Sequence, residues 1–287
     1  MTTTAEHGQD DDAHPSGVKA ELTGLPETLL WTLWNRACEA GHADPVLDDP
    51  MAEALVRKLD YPFVERLGPP HPLFSQVQGL RSLTFDRAVR QYTDRHPEAT
   101  VIALGEGLET GFWRVDNGRL RWLSVDLPEA VALRRALLPE HPRLRVLAQS
   151  ATDLSWLDEI DAPEQGTIVT AQALMMYLRP HEVKEIIAAC ADRLPGGALI
   201  LDSMPRWITK LTREGKIRIG ELTIPPMHWS MAPDERPRLY SAHPRIADVR
   251  ALTMERGRGV TGRLVQYQHL IPVFRSISPA VTLLRFA

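Results

Sequence analysis

The stretch Val101-Ile102-Ala103-Leu104-Gly105-Glu106-Gly107-Leu108-Glu109-Thr110-Gly111 decides the fold. A short apolar run that stops at Gly-x-Gly is how an α/β sheet brings its backbone, unobstructed by side chains, up to a nucleotide-like ligand. A second apolar run, Leu120–Val125, ends at Asp126, about twenty residues beyond the glycines, where a carboxylate can accept both hydroxyls of a ribose. The glycines alone fit any tight strand-to-helix turn. The acid at the second strand end turns the reading toward cofactor binding.

Outward from this centre the chain alternates strand and helix. Strands are expected at Val101–Leu104, Leu120–Val125, Leu144–Ala148, Thr167–Ala171 and Ala198–Leu201. Between them come a helix after Gly107, one opened by Pro128, and one with Val183, Ile186, Ile187, Cys190 and Leu194 facing inward. Apolar strands alternating with helices argue a parallel sheet covered on both faces. Two late strands, Ile246–Thr253 and Ala280–Phe286, look like an antiparallel hairpin added to it. Before the first strand, helical spacing over Pro26–Ala40, from Pro50 to Leu59, and from about Ser75 to Arg95 gives three helices that form a cap. The expected organisation is a disordered arm (1–20), a helical cap (21–96), an α/β core (97–204), an insertion (205–245) and terminal strands (246–287).

Composition narrows the function. A chain of 287 residues can bury a full core, and a net charge of −4 with scattered basic residues leaves no electrostatic footprint for nucleic acid. No apolar run approaches the roughly 18–20 residues of a membrane span and no leader pattern opens the chain, so it reads as cytoplasmic. The two cysteines, Cys38 and Cys190, read as buried free thiols, and the ten histidines form no ligand-like grouping, so no metal is expected. Oligomeric state has no signature.

Taken together, the segments resemble the class I S-adenosylmethionine-dependent methyltransferases, and more closely the leucine carboxyl methyltransferase-like family that includes polyketide O-methyltransferases. The marks are Leu47-Asp48-Asp49-Pro50, Gly105-Glu106-Gly107-Leu108-Glu109-Thr110, Arg114-Val115-Asp116-Asn117-Gly118, Asp126-Leu127-Pro128-Glu129, Ser155-Trp156-Leu157, Met176-Tyr177-Leu178 and Pro195-Gly196-Gly197. The resemblance implies a Rossmann-like, mostly parallel seven-stranded sheet with a late antiparallel hairpin, and S-adenosylmethionine as cofactor. It implies that Gly105 and Gly107 let the backbone close on the cofactor and that Asp126, with Leu127, meets the ribose; helix capping is the other duty open to Asp126. Asp153 and Leu154 match the adenine-holding position, or serve as a turn before Ser155-Trp156. Arg81 matches an arginine that pairs with the cofactor carboxylate, or is a solvated helix charge. Gln172 follows strand four at the methionine end, and Tyr177 lies near the transferred methyl or packs. Three positions depart from the pattern: Glu106 replaces cysteine or alanine, Gly111 an arginine, and Gln172 a glutamate.

Methyl transfer from a sulfonium needs in-line positioning more than acid–base machinery. A carboxylate acceptor is ionised at neutral pH, whereas a phenol or alcohol needs a base. His228 and Tyr177 are the candidate catalytic side chains, and Met227, Trp229 and Tyr240 the candidate walls for a hydrophobic small molecule. The expected activity is O-methylation of a carboxylate or acidic hydroxyl in secondary, polyketide-like metabolism. A non-catalytic S-adenosylmethionine binder of a biosynthetic assembly is the alternative, motivated by Gly111 and Gln172. A nicotinamide dehydrogenase fits less well, because the third glycine of the dinucleotide pattern is missing.

Overall fold

The computed structural model describes residues 17–20, 22, 24–259, 262 and 280–287. Seven strands form the central sheet: β1 (Thr100–Leu104), β2 (Arg121–Asp126), β3 (Leu144–Ala148), β4 (Thr167–Ala171), β5 (Ala198–Ser203), β6 (Ile246–Leu252) and β7 (Ala280–Phe286). Their order across the sheet is β6-β7-β5-β4-β1-β2-β3. The pairs among β1 to β5 are parallel, while β7 runs antiparallel to both β5 and β6. The chain order reverses at β1, which has β2 on one side and β4 on the other. In open α/β sheets the crevice at such a switch point is where ligands bind.

Burial explains which strands are apolar throughout. β1, β4 and β5 are buried at every position, whereas the edge strand β3 is only half covered. Helix α4 (Pro72–Thr93) lays Leu80, Phe85 and Val89 on one face of the sheet, against Val101, Ala103 and Trp122. Helix α7 (Pro180–Arg193) lays Val183, Ile186 and Cys190 on the other, with Trp156 and Leu199. Each large apolar side chain removed from water in this way contributes roughly 1.5–3 kcal/mol.

The cap comprises α1 (Thr28–Ala40), α2 (Pro50–Lys58), a short α3 (Phe63–Leu67) and α4, one helix more than the spacing predicts. Leu30, Leu33, Leu55 and Phe63 share a third apolar cluster with Leu108 from the glycine turn and with Met176. The cap is therefore packed onto the C-terminal ends of the strands. Most of the arm expected at 1–20 lies outside the described residues, but Val18–Lys19 pairs in parallel with Leu59–Asp60, so its end is tied to the cap. The helix expected after Gly107 is delayed and brief: α5 spans Gly111–Val115, because the preceding residues are used up in the turn. After α6 (Pro128–Leu137) and α7, the 205–245 segment holds α8 (Arg206–Arg213), a two-residue hairpin joining Arg218–Ile219 to Leu222–Thr223, and a 3-10 stretch Pro233–Ala242. Among the described residues no helix is long and apolar enough to cross a membrane. Both cysteines are free; Cys190 is buried and Cys38 half-buried.

Candidate active site

Strand register sets the site. Leu104 pairs with Val125 and Ala171 with Leu201, so Gly105, Asp126, Gln172 and Asp202 emerge side by side at the C-terminal edge. Gly105 (φ +60°) and Gly107 (φ +54°) both take the left-handed conformation that favours glycine. A Cβ on Gly105 would stand 2.9 Å from Leu174 Cδ1, and one on Gly107 would stand 3.1 Å from Leu29 Cβ. The turn is pinned by Gly105 N–H donating to Val125 O (2.8 Å) and Gly107 N–H donating to Asp126 Oδ2 (2.6 Å). Asp126 Oδ1 also accepts from Leu127 N–H at 2.8 Å, so the carboxylate carries a local backbone duty along with its place in the cleft. Burial pushes the Asp126 carboxyl up from its ordinary value, and these two amides oppose the push.

Two adjoining cavities flank the turn and share Thr28, Leu29, Gly105, Gly107 and Ala173. One is walled mainly by Asp126, Leu127, Ala151, Leu174 and Tyr177. The other is charged: Arg81, Asp86, Glu106, Glu109, Arg114 and Gln172 line it. Behind it lies a buried ion network. Arg36 reaches Asp49 at 2.5 Å and Glu109 at 3.1 Å, and Arg114 reaches Glu109 (2.6 Å), Asp86 (2.7 Å) and Asp49 (2.8 Å). Thr110 Oγ1 donates to the same Asp49 carboxylate at 2.7 Å. Burial alone would raise the Glu109 carboxyl, but Arg36 and Arg114 outweigh it and hold the group down at about 2. Glu109 is thus an anion across the working pH range.

The three departures from the expected motif have physical explanations. Glu106 is buried; Arg134 Nη2 stands 3.1 Å from it and Trp122 Nε1 donates to it at 3.2 Å. Arg134 in turn donates to the carbonyls of Gly107 and Glu109, both at 2.8 Å, so the unusual acid anchors the arginine that clamps the turn. Gly111 packs under Trp122, whose ring would lie 3.4 Å from an added Cβ. The positive charge expected at 111 is supplied from Arg36 and Arg114. Gln172 donates to Glu109 Oε2 (3.2 Å) and Ser82 Oγ (3.1 Å), so a neutral amide stands where a second acid would face an ionised Glu109.

The structure brings together Arg81, Gly105, Gly107, Asp126, Leu127, Gln172 and Tyr177 on the two cavities. It does not bring Asp153 there: its exposed side chain accepts from Ser155 N–H at 3.2 Å as the cap of a 3-10 turn, and Leu154 packs against the core on the α7 face. Met227 is buried in the cap cluster. His228 and Trp229 line a separate groove with Lys184, Arg206 and Arg238, and the exposed Tyr240 accepts from Val249 N–H at 3.0 Å through its hydroxyl. Arg36, Asp49, Glu109, Arg114 and Asp202 were missed. Asp49 and Glu109-Thr110 stand inside motifs that sequence reading singles out, but nothing local says that they face one another.

A sheet with this strand order, a left-handed glycine turn after β1, a carboxylate at the end of β2 and a cap helix lying on the turn is the architecture of the class I S-adenosylmethionine-dependent methyltransferases. Residues 30–191 match the family model described as leucine carboxyl methyltransferase. The tetracenomycin polyketide synthesis O-methyltransferase TcmP of Streptomyces glaucescens is 31% identical over 207 residues, covering 70% of this chain and 74% of that protein. The S-adenosyl-L-methionine-dependent methyltransferase dpfgK of Gibberella zeae is 29% identical, covering 59% of this chain and 61% of that one. Among solved structures, human N-acetylserotonin methyltransferase in complex with SAM is 13% identical, covers 90% of this chain and 67% of that one, and has a TM-score of 0.45. The chain belongs to the leucine carboxyl methyltransferase family, whose cofactor is S-adenosylmethionine.

Proposed function

We propose that the protein transfers a methyl group from S-adenosylmethionine to a carboxylate or acidic hydroxyl of a hydrophobic small molecule of secondary, polyketide-like metabolism. The donor set fits the cofactor. Arg81 is buried, lines the charged cavity, and has an Nε–H without a hydrogen-bond partner among the described residues, as a guanidinium reserved for an anion would. Arg81 would hold the cofactor carboxylate, Gln172 would lie at the methionine end, and Asp126 with Leu127 would meet the ribose beneath Leu29 and Leu174. The bound cofactor supplies an electrophilic methyl group on a sulfonium whose departure neutralises it. What remains for the chain is to orient the cofactor and to keep water from the methyl.

One observation carries the acceptor class: the titratable side chains lining the two cavities are ill suited to take a proton at neutral pH. Burial pushes the Tyr177 phenol up to about 12, and Glu109 is held ionised by its arginines. Glu106 and Asp86 are bonded to Arg134 and Arg114, and the two oxygens of Asp126 are taken up by the Gly107 and Leu127 amides. An acceptor that is already an anion needs none of them. The similarity to a polyketide O-methyltransferase supports the same reading.

The test is transfer of labelled methyl from S-adenosylmethionine to a panel of hydrophobic carboxylic acids, acidic phenols and neutral alcohols, with alkaline hydrolysis separating methyl esters from aryl ethers. Acids and acidic phenols are expected to be labelled and neutral alcohols not. Tight cofactor binding with no transfer to any member would favour the non-catalytic alternative, and labelling of neutral alcohols would overturn the acceptor class.

A further inference from the structure

Ala173 follows β4, borders both cavities, and has a φ of +56°, the one described non-glycine residue in the left-handed region. An alanine rarely stays there unless its surroundings hold it. What holds it is the side chain of Asp202, near the end of β5, whose Oδ1 accepts from Ala173 N–H at 2.7 Å. The other oxygen, Oδ2, accepts from Arg81 Nη1 at 3.3 Å, from the cap helix α4. Asp202 is 1% exposed. One buried carboxylate therefore ties a strained backbone joint, shared by both cavities, to the arginine whose Nε is left without a partner.

We propose that Asp202 is a positioning residue for the cofactor: it fixes the Ala173 joint that separates the two cavities and orients Arg81 toward the cofactor carboxylate. The proposal rests on the cofactor orientation given above. Its two halves act on different parts of the ligand. The Arg81 contact concerns only a ligand that carries the amino-acid carboxylate, whereas the Ala173 joint shapes the cleft for any adenosyl ligand. Asparagine at 202 leaves the Ala173 amide only a neutral and weaker acceptor and withdraws the charge from Arg81; glycine at 173 removes the need for restraint, since glycine adopts positive φ without penalty.

The experiment compares S-adenosylhomocysteine, which carries the carboxylate, with 5′-methylthioadenosine, which lacks it, by calorimetry on wild type, D202N, A173G and D202N/A173G. D202N is expected to lose about tenfold or more in affinity for S-adenosylhomocysteine, the scale of one hydrogen bond to a charged group, and much less for methylthioadenosine. Adding A173G to D202N is expected to return methylthioadenosine to wild-type affinity while S-adenosylhomocysteine stays weak. Wild-type affinity of D202N for both ligands, or an equal loss for both that A173G leaves untouched, overturns the proposal. R81M tests the orientation separately: equal loss of both ligands there counts against the placement of the carboxylate. In that event the hydrogen-exchange rate of the Ala173 amide, expected to rise in D202N, still decides the hold on the joint. Should D202N be too unstable to purify, D202N/R81M removes the unpaired charge, and wild-type amide protection at Ala173 in that variant overturns the proposal.

Discussion

The two ends of the cleft are built on opposite plans. At the charged end, Arg36, Asp49, Asp86, Glu109 and Arg114 are mutually bonded and almost wholly withdrawn from water. At the other end a single carboxylate, Asp126, lies among Leu127, Ala151, Leu174 and Tyr177 and is bonded only to backbone amides. The contrast separates what keeps the site folded from what touches a ligand. A buried ion network is a poor source of net stability, yet removing one member strands the others, so it fixes geometry at the cost of fragility. An isolated acid held by amides can be lost with much less damage to its surroundings.

Three measurements break or sharpen this contrast, from the largest expected effect to the smallest. Asp49→Ala leaves Arg36, Arg114 and the Thr110 hydroxyl without their shared acceptor, and should cost about 3–5 kcal/mol in denaturant unfolding, possession of the cofactor aside. A cost below about 1 kcal/mol, the level of an exposed pair, would mean that the network is solvated in solution. Asp126→Ala should behave differently: about 1–2 kcal/mol of stability from the two freed amides, with a cofactor affinity lowered roughly tenfold. If its stability loss matched that of Asp49→Ala, the two ends would not differ in kind. His228→Ala lies in the separate groove and should leave kcat within about twofold of wild type. A large fall in kcat with unchanged folding would bring that groove into the reaction after all.

The same contrast explains what could be read from the chain alone. The glycine turn and Asp126 are legible because backbone demands write themselves as residue types at fixed spacing: glycine where φ is positive, an acid at a strand end. Strand limits follow from apolar runs, and Thr167–Ala171 spans the same residues in the sequence reading and in the structure. The ion network is illegible for the opposite reason. Arg36 lies on α1, Asp49 at the start of α2, Asp86 on α4, Glu109 just before α5 and Arg114 on it; only the packing of the cap on the sheet makes them neighbours. The proline after Asp49 did announce a helix start, and Asp49 Oδ1 accepts from Ala52 N–H at 3.1 Å, but a cap residue looks the same whether or not two arginines also reach it. The placement of Met227, His228, Trp229 and Tyr240 was equally hidden, because an irregular segment has no period from which to infer which way a side chain faces.

Trp122 has a consequence in another kind of measurement. Its indole forms part of the wall of the charged cavity and donates to Glu106, while none of the other six tryptophans lines either cavity among the described residues. The protein therefore carries a native indole in the wall of the site, within hydrogen-bonding distance of a carboxylate. A ligand entering the charged cavity is expected to change the emission of Trp122, read as the difference between titrations of the wild type and of Trp122→Phe.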